Sequence, residues 1–210
     1  MQWIVITSPS FFDGEADFIT RLFEYGVDTV HLRKPGASAA ECARLLDHIS
    51  AAARSRIVIH DYFELAAPYG LLGIHINARH NEIPEGYTGH ISRSCHSFDE
   101  VKRYRPECDY VFLSPIFDSV SKQGYRSAFT PEDLSKAAED GIIDSKVIAL
   151  GGITPDRVAR LRSLGFGGAA MLGCVNNLAA LPEASQAAAL EQIGKAFKDP
   201  QQDCQINLNK

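Results

Sequence analysis

Residues 147–172 read VIALGGITPDRVARLRSLGFGGAAML, and this stretch decides the fold. The apolar run over 146–150 is too short for a helix and is closed by Gly151 and Gly152, as a fully buried strand is. Thr154, Pro155 and Asp156 supply an N-cap side chain, a proline suited to the first helical position and an acid that favours a helix N-terminus. A helix is predicted over 155–164, and a second apolar run follows over 168–172. Strand, helix and strand in that order form one βαβ unit.

The same alternation extends in both directions. Strands are predicted at 3–7, 29–33, 57–60, 73–76, 90–92, 110–113, 146–150 and 168–172. A long helix is expected over 38–54, where Ser38 and Glu41 have the spacing of a capping box. Another opens at Thr130, Pro131, Glu132 and Asp133, while 78–88 reads as an irregular loop. Eight strands alternating with helices predict an α/β chain folded as a single (β/α)8 TIM barrel over residues 1–198, with an open doubly wound sheet as the rival. Residues 199–210 form a polar tail.

Composition narrows the function classes. The chain has 210 residues, 45% of them hydrophobic and 22% charged, with a net charge of -5. An acidic chain argues against a nucleic-acid partner, although a local cationic cluster can still hold a small anion. No apolar run is long enough to cross a membrane, and the first residues lack a secretion signal, so a cytoplasmic protein with no membrane partner is expected. A homo-oligomer is compatible with this composition. Cys42, Cys95, Cys108, Cys174 and Cys204 are odd in number with no CxxC pair, which favours free thiols over disulfides or zinc.

Barrel enzymes assemble their sites at the C-terminal ends of the strands. Those ends carry Thr7 and Ser8, Arg33 and Lys34, His60 and Asp61, Asn77, Ser92 to Ser94, Ser114, Gly151 and Gly152, and Gly173. Gly151 and Gly152 before a helix suit a phosphate held by backbone amides, or equally a tight turn. Arg33 and Lys34 suit an oxyanion or a surface ion pair. Ser119, Ser121 and Lys122 suit an anion clamp or an ordinary solvated loop. His96 and His60 lie near the mouth as proton-transfer candidates, although His96 would equally cap the next helix. His31 reads as a hydrogen-bonded interior residue and His75 as structural.

Five motifs, in order, resemble the thiamin phosphate synthase (thiamin phosphate pyrophosphorylase) and TenI superfamily. They are LR at 32–33, GIHI at 73–76, SCHS at 94–97, SPIFDSVSK at 114–122 and VIALGGI at 147–153. The resemblance implies a barrel acting in thiamin biosynthesis. It implies that Gly152 and the loop after the eighth strand, with Gly173, bind the phosphate of a thiazole substrate. Ser119, Ser121 and Lys122 would hold a thiazole carboxylate or a pyrophosphate.

Four places depart from the family pattern. Pro35 stands where the synthases carry a pyrophosphate-gripping lysine, and His60 precedes Asp61 in place of asparagine. His80 takes the place of a second magnesium-binding aspartate, and Gly173 that of a serine. The first expectation is therefore a TenI-like thiazole tautomerase, an isomerase that needs no cofactor. Across the enzymatic readings the catalytic candidates are His96, Lys122 and Asp61. Arg33, His60, Ser94, Ser119, Ser121, Gly151, Gly152 and Gly173 are the substrate-binding candidates. The alternative is thiamin phosphate synthase, a transferase that joins a hydroxymethylpyrimidine pyrophosphate to the thiazole phosphate with Mg2+ on Asp61. A third reading is a non-catalytic thiamin-phosphate-binding regulator.

Overall fold

In the computed structural model, which describes residues 1–118 and 127–198, every expected strand forms and pairs in parallel with its neighbours in sequence. The strands are β1 (Gln2–Ile6), β2 (Thr29–Leu32), β3 (Ile57–Ile59), β4 (Gly73–Ile76), β5 (His90–Cys95), β6 (Tyr110–Leu113), β7 (Val147–Leu150) and β8 (Gly168–Met171). β8 pairs back onto β1, with Met171 opposite Val5, so the sheet closes as a barrel. The helices outside it are α1 (Glu15–Glu24), α2 (Ala39–Asp47), α3 (Ala51–Arg54), α4 (Ala66–Tyr69), α5 (Phe98–Tyr104), α6 (Pro131–Glu139), α7 (Val158–Ser163), α8 (Gly173–Asn176) and α9 (Glu183–Lys198). No helix among the described residues is long and apolar enough to cross a membrane.

Side chains alternate across each strand, so the barrel has two interiors. Outward residues such as Val5, Leu32, Ile59, Ile76, Leu113 and Val147 pack under the helices in one continuous core. Inward residues Ile4, Ile6, Tyr110, Phe112, Ile148 and Ala170 fill the centre. That central cluster draws on β1, β6, β7 and β8. On the opposite side, β2, β4 and β5 and the residue just past β3 turn buried polar groups inward: His31, His75, Ser92 and His60. α9 covers the outside of β1, where the Phe197 ring stacks on Trp3 at 5.3 Å.

Three element boundaries differ from expectation, each for a local reason. The helix over 38–54 divides after Asp47, because the Ser50 hydroxyl accepts from the Ala53 amide and starts α3 as a new N-cap. Arg54 then donates to the carbonyls of Leu46 and Ile49 and so braces the break. The helix expected from Pro155 opens as a 3-10 turn, and Thr154 makes no side-chain cap bond. β5 runs on to Cys95 rather than stopping at Ser92, since its inward serines hide an alternation that apolar patterning alone would extend. The capping boxes at Ser38–Glu41 and Thr130–Asp133 form as expected.

Lys34 corrects a sequence expectation. Arg33 and Lys34 are adjacent, so they face opposite sides of the wall. Lys34 lies outside the barrel, fully buried, with its Nζ 2.6 and 2.8 Å from the two carboxylate oxygens of Glu15. It also donates to the carbonyls of Ser8 and Ser10, and so ties the loop after β1 to the start of α1. Burial pushes the Glu15 carboxyl up and the Lys34 ammonium down, each partly offset by the other. Lys34 is thus unavailable to a ligand at the mouth. Replacing one partner leaves a buried charge unpaired, which costs about 3–5 kcal/mol. Lys34→Met should lose stability of that order in urea unfolding, and Glu15→Leu added to it should recover much of the loss. An unchanged midpoint in the single variant would contradict this role.

Candidate active site

The floor of the mouth is built from neighbouring strands. His31 of β2, His75 of β4 and His60 just past β3 all point inward because they share strand parity. His31 Nδ1 lies 2.9 Å from His60 Nε2, and His31 Nε2 lies 2.5 Å from the Tyr110 hydroxyl. His75 Nδ1 meets Ser92 Oγ at 2.9 Å, and its Nε2 meets Ser94 Oγ at 2.8 Å. Ser92 Oγ donates to the Ile74 carbonyl and therefore accepts from His75 Nδ1, which leaves Nε2 as the lone-pair nitrogen. The His60 and His75 rings stack at 4.1 Å, and Phe112 lies against both His31 and His75.

These imidazoles are held neutral. Burial pushes all three well down, and their neighbours push further. Burial with the guanidinium charges of Arg93, Arg33 and Arg79 takes His75 to about 3. His60 feels His75, His31, Arg33 and Arg79 in the same sense. Burial likewise pushes the Tyr110 phenol up, so that it keeps its proton.

Around this floor stands a cationic rim. Arg33 follows β2 with inward parity and is half-buried. Its backbone is bound to Thr7 Oγ1, but its guanidinium has no hydrogen bond or ion pair among the described residues. Burial and the nearby Arg79 charge lower its pKa, and Asp61 partly counters them. Asp61 follows His60. Its Oδ1 accepts from Arg79 Nε at 3.1 Å and Nη2 at 3.0 Å, and its Oδ2 lies 3.3 Å from Nη2. His80 Nε2 lies 3.2 Å from the same Oδ1. Asn77 holds this turn by donating to the His60 and His75 carbonyls and accepting from the Arg79 and His80 amides.

The far side of the mouth is mostly backbone. Gly151 and Gly152 have φ of +97° and +63°. A Cβ on Gly152 would lie 2.4 Å from the Asp118 carbonyl oxygen, and one on Gly151 2.8 Å from Pro115 Cα. Glycine is therefore needed at both for backbone conformation and for close approach of the chain after β6. The amides of Gly151, Gly152, Ile153 and Thr154 donate to no acceptor among the described residues. Arg157 braces this turn, donating to the Gly152 carbonyl at 2.5 Å while lying over the Phe117 ring. Gly173 opens α8 directly after β8.

The expected site residues distribute unevenly. Arg33, His60, Ser94, Gly151, Gly152 and Gly173 lie at the strand ends around one mouth, but Ser94 is spent on His75. His96 sits exposed on the rim, its Nδ1 tied to the Ser114 carbonyl at 3.1 Å. Ser119, Ser121 and Lys122 lie outside the described residues, as does the tail 199–210 with Cys204. Asp61 is a correction: Arg79 and His80 occupy the carboxylate that was expected to take a metal. Arg79, Tyr110 and the part played by His75 were missed. One inward histidine or serine on each of β2 to β5 was the available signal, and it needed the strand register to be read. A cleft of about 550 Å3 between α1 and α2, lined by residues such as Phe12, Arg44 and His48, lies outside the barrel and away from these groups.

Comparison with known proteins gives the following. The family model TMP-TENI, described as thiamine monophosphate synthase, matches residues 3–175. A thiamine-phosphate synthase of Salinibacter ruber is 30% identical over 162 residues, covering 72% of this chain and 70% of the relative. One of Yersinia pestis is 28% identical over 172 residues, covering 75% of this chain and 77% of the relative. The crystal structure of a thiamine phosphate pyrophosphorylase from Bacteroides thetaiotaomicron superposes with a TM-score of 0.84 at 42% identity, covering 94% of this chain and 98% of that one.

Neutral buried histidines make stability depend on pH. Between about pH 6.5, where an unfolded histidine titrates, and about pH 3, the unfolded chain binds protons that the native rings refuse. Stability should therefore fall as pH drops below about 6.5, by up to about 1.4 kcal/mol per pH unit for each histidine. Urea unfolding at pH 7 and pH 5 should show this loss, and His75→Asn should make it shallower. Equal pH slopes in wild type and variant would contradict the assignment.

Proposed function

We propose, from the premise that this chain belongs to the thiamine monophosphate synthase family, that it joins a hydroxymethylpyrimidine pyrophosphate to a thiazole phosphate. In that reaction the bond from the pyrimidine methylene carbon to the pyrophosphate oxygen breaks, and the oxygen leaves with the electron pair. The thiazole nitrogen forms the new carbon–nitrogen bond. The names borne by the relatives favour this reading over the tautomerase that the departures in sequence suggested first.

One observation carries the proposal: two sets of anion donors face each other across a neutral floor. On one side, four consecutive backbone amides past β7 lack acceptors among the described residues, and these take the thiazole phosphate. On the other, the Arg33 guanidinium lacks a partner among the described residues and takes the pyrophosphate in a bidentate fashion. Arg79, fixed on Asp61, adds a second guanidinium charge beside it. The imidazole floor offers hydrogen bonds to a heteroaromatic ring without adding charge. Gly173, which opens α8 directly after β8, would contact the same phosphate, and Ser119, Ser121 and Lys122 are further candidates that lie outside the described residues.

The resemblance also implies Mg2+, and the residues present do not fit it. A hard dication wants carboxylate and water oxygens in octahedral array. Here the Asp61 carboxylate is taken by Arg79 and His80, and an imidazole stands at the second carboxylate's place. Neutralising the leaving pyrophosphate accordingly falls to Arg33 and Arg79.

One observation supports a second reading. His96 has Nε2 free of partners among the described residues while Nδ1 is anchored, the arrangement that proton transfer on a thiazole carboxylate phosphate would use.

Incubation with both synthase substrates should give thiamin phosphate and pyrophosphate. Arg33→Met should lower kcat/KM about 100-fold, the equivalent of losing a charged hydrogen-bond pair. Tautomer conversion abolished by His96→Ala, with no coupling product, would establish the second reading instead. Ligand-induced stabilisation with neither reaction would overturn both in favour of a binding protein.

A further inference from the structure

The three inward histidines come close enough together to act as one ligand set. One ring nitrogen from each of His31, His60 and His75 lies within 4.8 Å of the others, and all three residues are buried. We propose that these three imidazoles form a binding site for a borderline transition-metal dication of the zinc or cobalt class, inside the barrel beneath its mouth.

The outer contacts already have the form that metal-binding histidines require. Each ligating ring is normally oriented through its other nitrogen by a hydrogen-bonding partner. Tyr110 holds His31 through Nε2, and Ser92 holds His75 through Nδ1. That leaves His31 Nδ1 and His75 Nε2 as the candidate ligand nitrogens. His60 contributes Nε2, now 2.9 Å from His31 Nδ1, and its Nδ1 has no partner among the described residues.

A metal would take the place of the proton shared between His31 and His60. The His31 proton moves to Nε2, where the Tyr110 oxygen accepts it, and the Ser94 hydroxyl gives up His75 Nε2. No imidazole proton is lost in the exchange. For the ring nitrogens to converge on one ion at about 2 Å, the His60 ring must turn out of its stack on His75.

The donor set selects the class of ion. Imidazole nitrogen suits zinc, cobalt, nickel and copper and is a poor ligand for Mg2+. Three protein ligands leave one position of a tetrahedron open. No carboxylate belongs to the set, and Arg33, Arg79 and Arg93 place positive charge nearby. The open position is therefore suited to an anionic oxygen: a hydroxide, or an oxyanion entering from the mouth. This site is distinct from the Asp61 carboxylate, and it stands whether or not the synthase reading does.

The test is a Co2+ titration of chelator-treated, dialysed protein at neutral pH, followed by visible absorption. The expected result is an intense four-coordinate band saturating at one equivalent, bleached by Zn2+. It should be lost in His31→Asn and His75→Asn and kept in His48→Asn, whose ring lies on the surface. Absence of a saturable band, or the same band in all variants, would overturn the proposal. If the interior variants fail to fold, zinc-edge anomalous scattering from soaked wild-type crystals decides. A peak among the three rings supports the site, and a peak only elsewhere or none at all overturns it.

Discussion

Three imidazoles can share the inside of a barrel only if they stay uncharged and find hydrogen-bond partners among their buried neighbours. That constraint shapes the polar half of this molecule. An ionised histidine at this depth would forfeit its hydration in the midst of other positive charge. The surroundings of His31, His60 and His75 push in one direction: burial, neighbouring rings and the rim guanidiniums all favour the neutral form. Tyr110, Ser92 and Ser94 then supply the partners that water would have given. The result is a floor that carries hydrogen-bonding capacity without charge.

Above that floor, strand parity separates residues with similar chemistry. Arg33 and Lys34 are adjacent cations, yet one faces the mouth and the other is buried outside the wall on Glu15. The mouth thus keeps a guanidinium without a partner among the described residues, while the ammonium organises the loop after β1. A comparable division separates Asp61 from the ligand. Its carboxylate fixes Arg79, so the acid at this rim acts by placing a cation.

The barrel was legible in the sequence because outward positions are almost uniformly aliphatic and the turns are marked by glycine, proline and capping residues. The strand positions agree with expectation to within a few residues, and both expected capping boxes form. The turn after β7 was legible for the same reason, since Gly151 and Gly152 announce a backbone that only glycine fits. The histidine floor was not. His31, His60 and His75 lie far apart in sequence, and each taken alone reads as a satisfied interior residue. Only the closure of β2, β3 and β4 side by side turns them into one group. Arg79 was hidden for a related reason: it sits in an irregular loop whose conformation depends on Asn77 bridging two strand ends.

The neutrality of the floor is the claim on which site chemistry, stability and ion binding all depend. Nitrogen-15 NMR of labelled imidazoles, followed from pH 7.5 to pH 5, reads it directly. The account predicts that His31, His60 and His75 keep the ring-nitrogen shifts of neutral tautomers throughout. Protonation of these rings near pH 6.5, as in an unfolded chain, would contradict it.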